Sequence, residues 1–223
     1  MANSLKNIKL PNYSKGEEIF NMVTHIVGGA IGIAVLVLCI IQAAVNKTAI
    51  AIVSASIYGA TMILLYTMSS IYHGLVHINA KKVFRVLDHC TIYLLIAGTY
   101  TPISLCAIRE VNPAVGWTVF GLQWGLCTLC LVLTAIDMKK YSVLSMTCYI
   151  VMGWLVVFFV KPTMAALTKP GFMLVLSGGI MYSIGAILYG IGKKKKYIHS
   201  VFHIFVLFGS LLQFFSILFY VLR

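Results

Sequence analysis

Along this chain apolar residues gather in long runs, and most charged residues sit in the short breaks between them. A run of about 20 apolar residues makes a helix that crosses a ~30 Å hydrocarbon core. The pattern predicts seven such helices, over 22–45, 49–76, 84–107, 113–135, 142–160, 171–191 and 198–221. Lys47 marks the first break, Lys81-Lys82 the second, and Arg109 to Pro113 the third. Asp137 to Lys140 marks the fourth, Lys161 to Pro170 the fifth, and Lys193 to Lys196 the sixth. Breaks this short force successive helices to run antiparallel. The fold class expected is an all-α membrane protein, a seven-transmembrane bundle over 22–223 behind a tail at 1–21.

Composition narrows this reading. The chain has 223 residues, 61% of them hydrophobic, with five acidic residues and a formal net charge of +12. So apolar a chain does not suit a soluble domain. The excess of positive charge is read as loop lysines that set topology and meet anionic head groups, not as a nucleic-acid surface. Twelve of the seventeen Lys and Arg fall on the N-terminal side of the predicted bundle, from Lys6 through Lys81, Arg85 and Lys139 to Lys196. Five fall on the other side: Lys47, Arg109, Lys161, Lys169 and Arg223. Basic residues stay in the cytoplasm, so the N-terminus is expected inside and the C-terminus outside a cell membrane. The polar stretch from Met1 to Lys15 has no apolar core with a small-residue cleavage site, so no cleaved signal peptide is expected.

Small residues mark faces for close helix contact: Gly28, Gly29 and Gly32, then Gly121-x-x-x-Gly125, then Gly178, Gly179 and Gly185. Packing within the bundle is the expected use, with a dimer face at Gly121 and Gly125 as the alternative. The six cysteines, including Cys127-x-x-Cys130, all lie in apolar runs and are read as small buried hydrophobes.

The polar residues inside the runs carry the functional signal. His199 and His203 are four apart, so on a helix they share a face. Histidine within a span is costly and marks a functional site by default. Under the expected topology, His73 ends the second helix at the same membrane side. Asp88 and His89 lie in the first turns of the third helix, and Glu18, Asn21, Thr24 and His25 at the start of the first. Every histidine, with Glu17, Glu18 and Asp88, thus gathers at one side, while Glu110 and Asp137 sit at loop edges. His73, His199 and His203 would make a three-histidine metal site, the donor set of a catalytic zinc with one open position. Asp88 is then placed to accept a proton or to orient a ligand, and Ser69, one turn before His73, to contact the site or a carbonyl. Blander readings stand beside these. The His199–His203 pair would simply face water at head-group level. Asp88 would pair with Arg85. Glu18, Asn21, Thr24 and His25 would form a structural hydrogen-bond network. His77 is expected in or beside a loop, and His89 need not face the site.

These motifs resemble the hemolysin III family, the bacterial branch of the progestin and adipoQ receptor superfamily. The likeness runs from Lys15 to the end of the chain. It rests on Gly16-Glu17-Glu18-Ile19-Phe20-Asn21 with Thr24-His25, and on Ser69-Ser70-Ile71-Tyr72-His73. It rests also on Arg85-Val86-Leu87-Asp88-His89 leading to Tyr93 through Pro102, and on His199-x-x-x-His203 through Ser210. The resemblance implies seven helices with a cytoplasmic N-terminus. It implies zinc at His73, His199 and His203 near the inner leaflet, with Asp88 and Ser69 beside it. It also implies kinship with hydrolases of ceramide-type lipid amides, a reported cytolytic activity, and a link to membrane fluidity. One departure is Gln213, where many relatives are expected to carry histidine.

The function expected is a zinc-dependent hydrolase of a lipid amide or ester at the inner leaflet, with membrane lipids as partners and no nucleic acid. A non-enzymatic regulator of the bilayer with a structural zinc is the alternative. A cytolysin is disfavoured because no amphipathic pore-forming segment or secretion signal is seen. A transporter is disfavoured because no broken-helix pair or inverted repeat is seen.

Overall fold

Ser14 starts the first helix earlier than the apolar pattern suggests. Its backbone N–H and hydroxyl both donate to Glu17 Oε2, at 2.8 and 2.7 Å, and the Glu17 N–H returns to the Ser14 hydroxyl at 3.4 Å. This reciprocal Ser-x-x-Glu pairing satisfies donors that a helix N-terminus leaves open. Helix α1 therefore runs Lys15–Val45.

The computed structural model describes residues 8–45, 48–192 and 195–223. Lys6, Lys47, Lys193 and Lys194, used above for the charge count, lie outside the described residues. The described residues are helical throughout their regular structure, with no strand. Helix α2 spans Ala49–Gly74. Helix α3 begins at Ile78 and runs to Val111, passing through a wider π-helical stretch at Ile103–Ile108 just after Pro102. Helix α4, Pro113–Ile136, opens with proline where a missing N–H costs nothing, and Asn112 caps it by accepting from the Val115 N–H at 3.1 Å.

The fifth apolar run is not one helix. It comprises α5 at Ser142–Gly153, the four-residue α6 at Leu155–Phe158, and the start of α7 at Val160–Gly192. This corrects the expectation of one continuous helix over 142–160. The groups freed at the break are met by buried side chains. Tyr100 donates its hydroxyl to the Gly153 carbonyl at 2.8 Å and accepts from the Val156 N–H at 3.0 Å. Gln123 donates to the Met152 carbonyl at 2.8 Å. Such backbone is tolerated at membrane depth only inside protein or along a cavity. Helix α7 also absorbs the expected loop at 161–170, and it breaks only at Thr168, whose φ of 59° is left-handed. Pro170, two residues on, has no N–H to continue the ladder. Helix α8 spans Ile198–Ser216 and ends in a π-helical turn at Ile217–Val221.

Six of these helices, α1 to α4, α7 and α8 (with their π-helical ends), are long and apolar enough to cross a membrane, while α5 is apolar but short. Helix α1 lies along α2, α2 along α3 and α7 along α8, with α8 against α1 and α5 against α3 and α4. Helix α3 is the central member, with 83% of its apolar window buried. Helices α1 and α4 instead show large apolar side chains outward, such as Ile26, Val37, Leu122 and Leu129. The glycines divide along the same line. A Cβ on Gly28 would lie 2.5 Å from the Tyr66 ring, and one on Gly59 2.6 Å from Leu36. Gly121 and Gly125 have nothing within 4 Å. Their expected packing role within the bundle is therefore not realised, because that face of α4 points out of it. All six cysteines are buried free thiols.

Candidate metal centre and its chamber

Helix periodicity puts His199 and His203 on one face in the first two turns of α8, and both are buried. Their Nε2 atoms lie 3.2 Å apart. His73, in the last turn of α2, joins them, and one ring nitrogen from each of the three lies within 4.8 Å of the others. Two nitrogens bound tetrahedrally at ~2.0–2.1 Å from a zinc ion sit about 3.3–3.4 Å apart, so the α8 pair already has a metal-binding separation.

The orientation of His73 strengthens the fit. Its Nδ1 meets Glu18 Oε2 at 2.6 Å. An ionised carboxylate only accepts, so Nδ1 is a donor, and Nε2 is the ring nitrogen left to offer a lone pair to a metal. That Nε2 is buried and has no hydrogen-bond partner among the described residues. A buried, unpaired acceptor is costly, and a cation is the partner this donor set suits. Glu18 is held in turn by Lys81, whose Nζ lies 2.8 Å from Oε1 and also donates to the Leu75 carbonyl at 3.0 Å. On His203 the Asn21 backbone hydrogen-bonds the ring, and Nδ1 lies 3.5 Å from the Thr24 hydroxyl. This leaves Nε2 of His203 facing His199.

Two rings clamp the imidazoles. Tyr13 stacks on His199 at 4.9 Å between centroids, and His25 stacks on His203 at 3.7 Å. Burial pushes the Tyr13 phenol well above its ordinary range, so it stays neutral beside the histidines. The start of α8 is fixed by Glu17, whose Oε1 accepts the Tyr197 N–H at 2.7 Å. Tyr197 has φ of 61°, left-handed for a residue with a Cβ, and this strained turn delivers His199 into the bundle.

The structural network expected among Glu18, Asn21, Thr24 and His25 does not form. Glu18 turns to His73 and Lys81, where a charge-assisted pair is stronger than neutral hydrogen bonds. Thr24 bonds back to the Phe20 and Asn21 carbonyls at 2.9 and 3.0 Å. Both His25 ring nitrogens and the Asn21 amide are buried without hydrogen-bond partners. His77 is an exposed N-cap of α3, accepting from the Ala80 N–H at 3.3 Å.

Asp88 and Ser69 meet across the α2–α3 contact, where the Ser69 hydroxyl lies beside the Asp88 carboxylate. The Asp88–Arg85 pair expected as an alternative is absent from the ion pairs of the described residues. Arg85 Nη1 instead donates to the Lys9 carbonyl, and the guanidinium also hydrogen-bonds Tyr189. Asp88, Ser69, His199 and His203 line one chamber of about 160 Å³. The chamber runs from this polar end to Tyr100, Gly153, Trp154 and Ser183 at the broken fifth helix. Gln213, the position where many relatives are expected to carry histidine, also lines it. His89 lines the same chamber.

Sequence reasoning thus placed Glu17 and Glu18 at this end but missed the parts that they and Lys81 play around the histidines, and it missed Tyr13. The Ser14-x-x-Glu17 pattern was a readable signal for the helix start. Nothing in sequence pairs Glu18 with His73, 55 residues away.

A family model described as "Haemolysin-III related" matches residues 13–214. The chain is 42% identical over 206 residues to Hemolysin-3 of Bacillus cereus, covering 92% of each chain. It is 42% identical over 207 residues to the Hemolysin-3 homolog of Bacillus subtilis (strain 168), covering 93% of this chain and 95% of that one. It is also 24% identical over 184 residues to the human monocyte to macrophage differentiation factor, covering 77% of this chain and 71% of that one.

Proposed function

Because this chain belongs to the haemolysin-III related family of multi-pass cell-membrane proteins, and because three buried imidazoles converge beside a carboxylate-lined chamber, we propose that it is a zinc-dependent hydrolase of lipid amides or esters. The observation that carries this reading is the unpartnered, buried His73 Nε2 beside the facing Nε2 atoms of His199 and His203. His73, His199 and His203 would hold the zinc, which when bound supplies Lewis acidity that polarises a carbonyl and makes water more acidic.

The chain's own residues would do the rest. Glu18 fixes the His73 ring so that Nε2 points inward. Asp88 takes the proton from the attacking water and returns it to the leaving amine or alkoxide as the acyl bond breaks, and Ser69 beside it helps orient the carboxylate. The chamber receives an acyl chain along its apolar wall of Leu65, Ile92, Leu95 and Ile96 and keeps bulk water away from the reacting carbonyl. We further assign seven spans to the chain, counting the interrupted fifth run, with the N-terminus and the histidine end on the cytoplasmic side, an orientation that the distribution of basic residues supports.

The test has two stages. Detergent-purified protein should contain about one zinc per chain by elemental mass spectrometry, lost in His73→Ala and His203→Ala. A lipid-hydrolysis screen then compares the parent with Asp88→Asn. Removing a general base lowers turnover by about 10²–10⁴-fold. The variant should lose turnover to that extent while keeping its zinc. Undiminished hydrolysis by Asp88→Asn would refute the role given to Asp88, and zinc-free folded protein after zinc resupply would sink the metal reading.

A non-enzymatic bilayer regulator is the second reading. The Glu18–His73 bond ties α1 to α2 at the site where α8 presents its two histidines, so a metal there would also clamp three helices together. Protein that binds zinc yet turns over no candidate lipid would favour it.

A further inference from the structure

A second cavity of about 480 Å³ opens beside the chamber, at the same end of the bundle. Five residues line both: Arg85, His89, Met146, Tyr149 and Tyr189. The second cavity therefore adjoins the chamber as an outer room, with these five side chains at the boundary between the two. Its chemistry differs sharply from that of the inner room. Lys9, Arg85 and Lys139 line it, and no Asp or Glu does. Lys9 and Lys139 are exposed, so the cavity reaches the surface.

Three neutral hydroxyls on its wall, those of Ser145, Thr134 and Tyr149, are already engaged. Ser145 and Thr134 share a hydrogen bond at 3.0 Å, and Tyr149 donates to the His89 carbonyl at 2.8 Å. Asp137, at the nearby turn, accepts from the Lys139 and Lys140 backbone N–H groups at 3.1 and 2.9 Å. Recognition in this room therefore falls to the cations. Arg85 stands at the junction of the two rooms. Its guanidinium has five N–H donors in a fixed fork, so donors remain beyond those given to Lys9 and Tyr189. Cations around a cavity with no acidic residue on its wall call for an anion.

We infer that this outer cavity binds the phosphate-bearing, net-anionic head group of a membrane lipid whose acyl chain lies in the inner chamber. The inference rests on the reading that the chamber takes a lipid, and it narrows that lipid's class. A neutral lipid would bring no counter-charge to Lys9, Arg85 and Lys139 within this room. A phosphate there would stand next to Arg85, with the acyl linkage inward, toward Asp88 and the histidines.

The test measures lipid retention by native mass spectrometry of the full chain, without any turnover. Phosphatidylglycerol and phosphatidylcholine of identical acyl chains compete for the protein. Phosphatidylglycerol should be retained at least fivefold over phosphatidylcholine, and the Lys9→Glu/Lys139→Glu variant should lose that preference. Both positions are exposed, and an unchanged Tm shows that the variant is folded. Lys195→Glu, a charge change at an exposed turn outside the cavity, should keep the preference. Equal retention of the two lipids would overturn the inference, and so would a preference that survives the double variant. A preference lost equally in Lys195→Glu would reduce it to general surface charge and overturn it too. Inorganic phosphate serves as the soluble probe. Weak binding of phosphate that phosphatidylglycerol displaces supports a lipid site. Phosphate binding that phosphatidylglycerol cannot displace would make the cavity a free-anion site and overturn the lipid. Selective retention without hydrolysis would refute the enzymatic reading alone, and hydrolysis without selectivity would refute this inference alone.

Discussion

Glu18 shows how one side chain sets the chemistry of another. By accepting from His73 Nδ1 at 2.6 Å, it fixes both the tautomer and the ring orientation that leave Nε2 inward. Outer partners of this kind contribute about 10–100-fold to metal affinity. Glu18→Gln should therefore weaken zinc binding by roughly that factor, read by competition with a chromogenic chelator, while Lys82→Gln should leave it unchanged. Equal affinity in Glu18→Gln and the parent would mean that the Glu18–His73 bond has only a structural role. The same bond explains why the expected network with Asn21 and His25 is absent. A carboxylate offered an imidazole N–H and a lysine ammonium takes those in preference to neutral amides.

At the scale of the helices, glycine marks close contact only where a neighbour is present. Helix α1 approaches α2 so nearly that a Cβ on Gly28 would press into Tyr66, whose ring stands edge-on to His25. Overpacking of this kind costs about 1–3 kcal/mol. Gly28→Ala should lower Tm by roughly 3–10 °C, since a chain of this length shifts by about 2–4 °C per kcal/mol. Gly121→Ala, on an open face of α4, should stay within about 2 °C of the parent in a monomeric detergent preparation. A larger loss at Gly121 than at Gly28 would reverse the packing described for α1 and α4. The interrupted fifth run follows similar logic. Its free backbone groups are met by Tyr100 and Gln123, so the break is built into the bundle, and Gly153 and Trp154 there close the inner chamber.

For the whole molecule, a bound metal would be a cross-link between α2 and α8, between which Tyr66 also donates to Ser210 at 2.8 Å. A ligand present at 1,000 times its Kd stabilises by about 4 kcal/mol. Chelation of zinc-loaded protein should then lower Tm by roughly 10 °C, restored by adding zinc. No shift on chelation would show that the helices are held without metal. Orientation is tested separately by labelling in intact cells. Lys140→Cys should react only with reagents that reach the cytoplasm, and Lys161→Cys only with those outside. The opposite pattern would invert the assigned topology. The six native cysteines are buried, so background labelling should be low.

Hydropathy runs, the confinement of charge to short breaks, and histidines four apart are local properties, and local properties can be read from sequence. They gave the all-helical membrane fold, most helix positions, and the three residues whose ring nitrogens now lie within 4.8 Å of one another. The family motifs were legible for the same reason, since each is a short contiguous string. What needed the folded chain was every feature that depends on which neighbour wins a competition. Glu18 could pair along its own helix or across to α2, and only the packed bundle brings His73 and Lys81 near enough to decide it. The break in the fifth run lies within an apolar stretch that hydropathy alone cannot distinguish from a continuous helix, and its stability depends on Tyr100 and Gln123 arriving from α3 and α4. The chamber and its basic outer room belong to no single segment. They exist because helices packed around α3 leave space between them, with the cations of the N-terminal segment, of α3 and of the turn after α4 at its mouth.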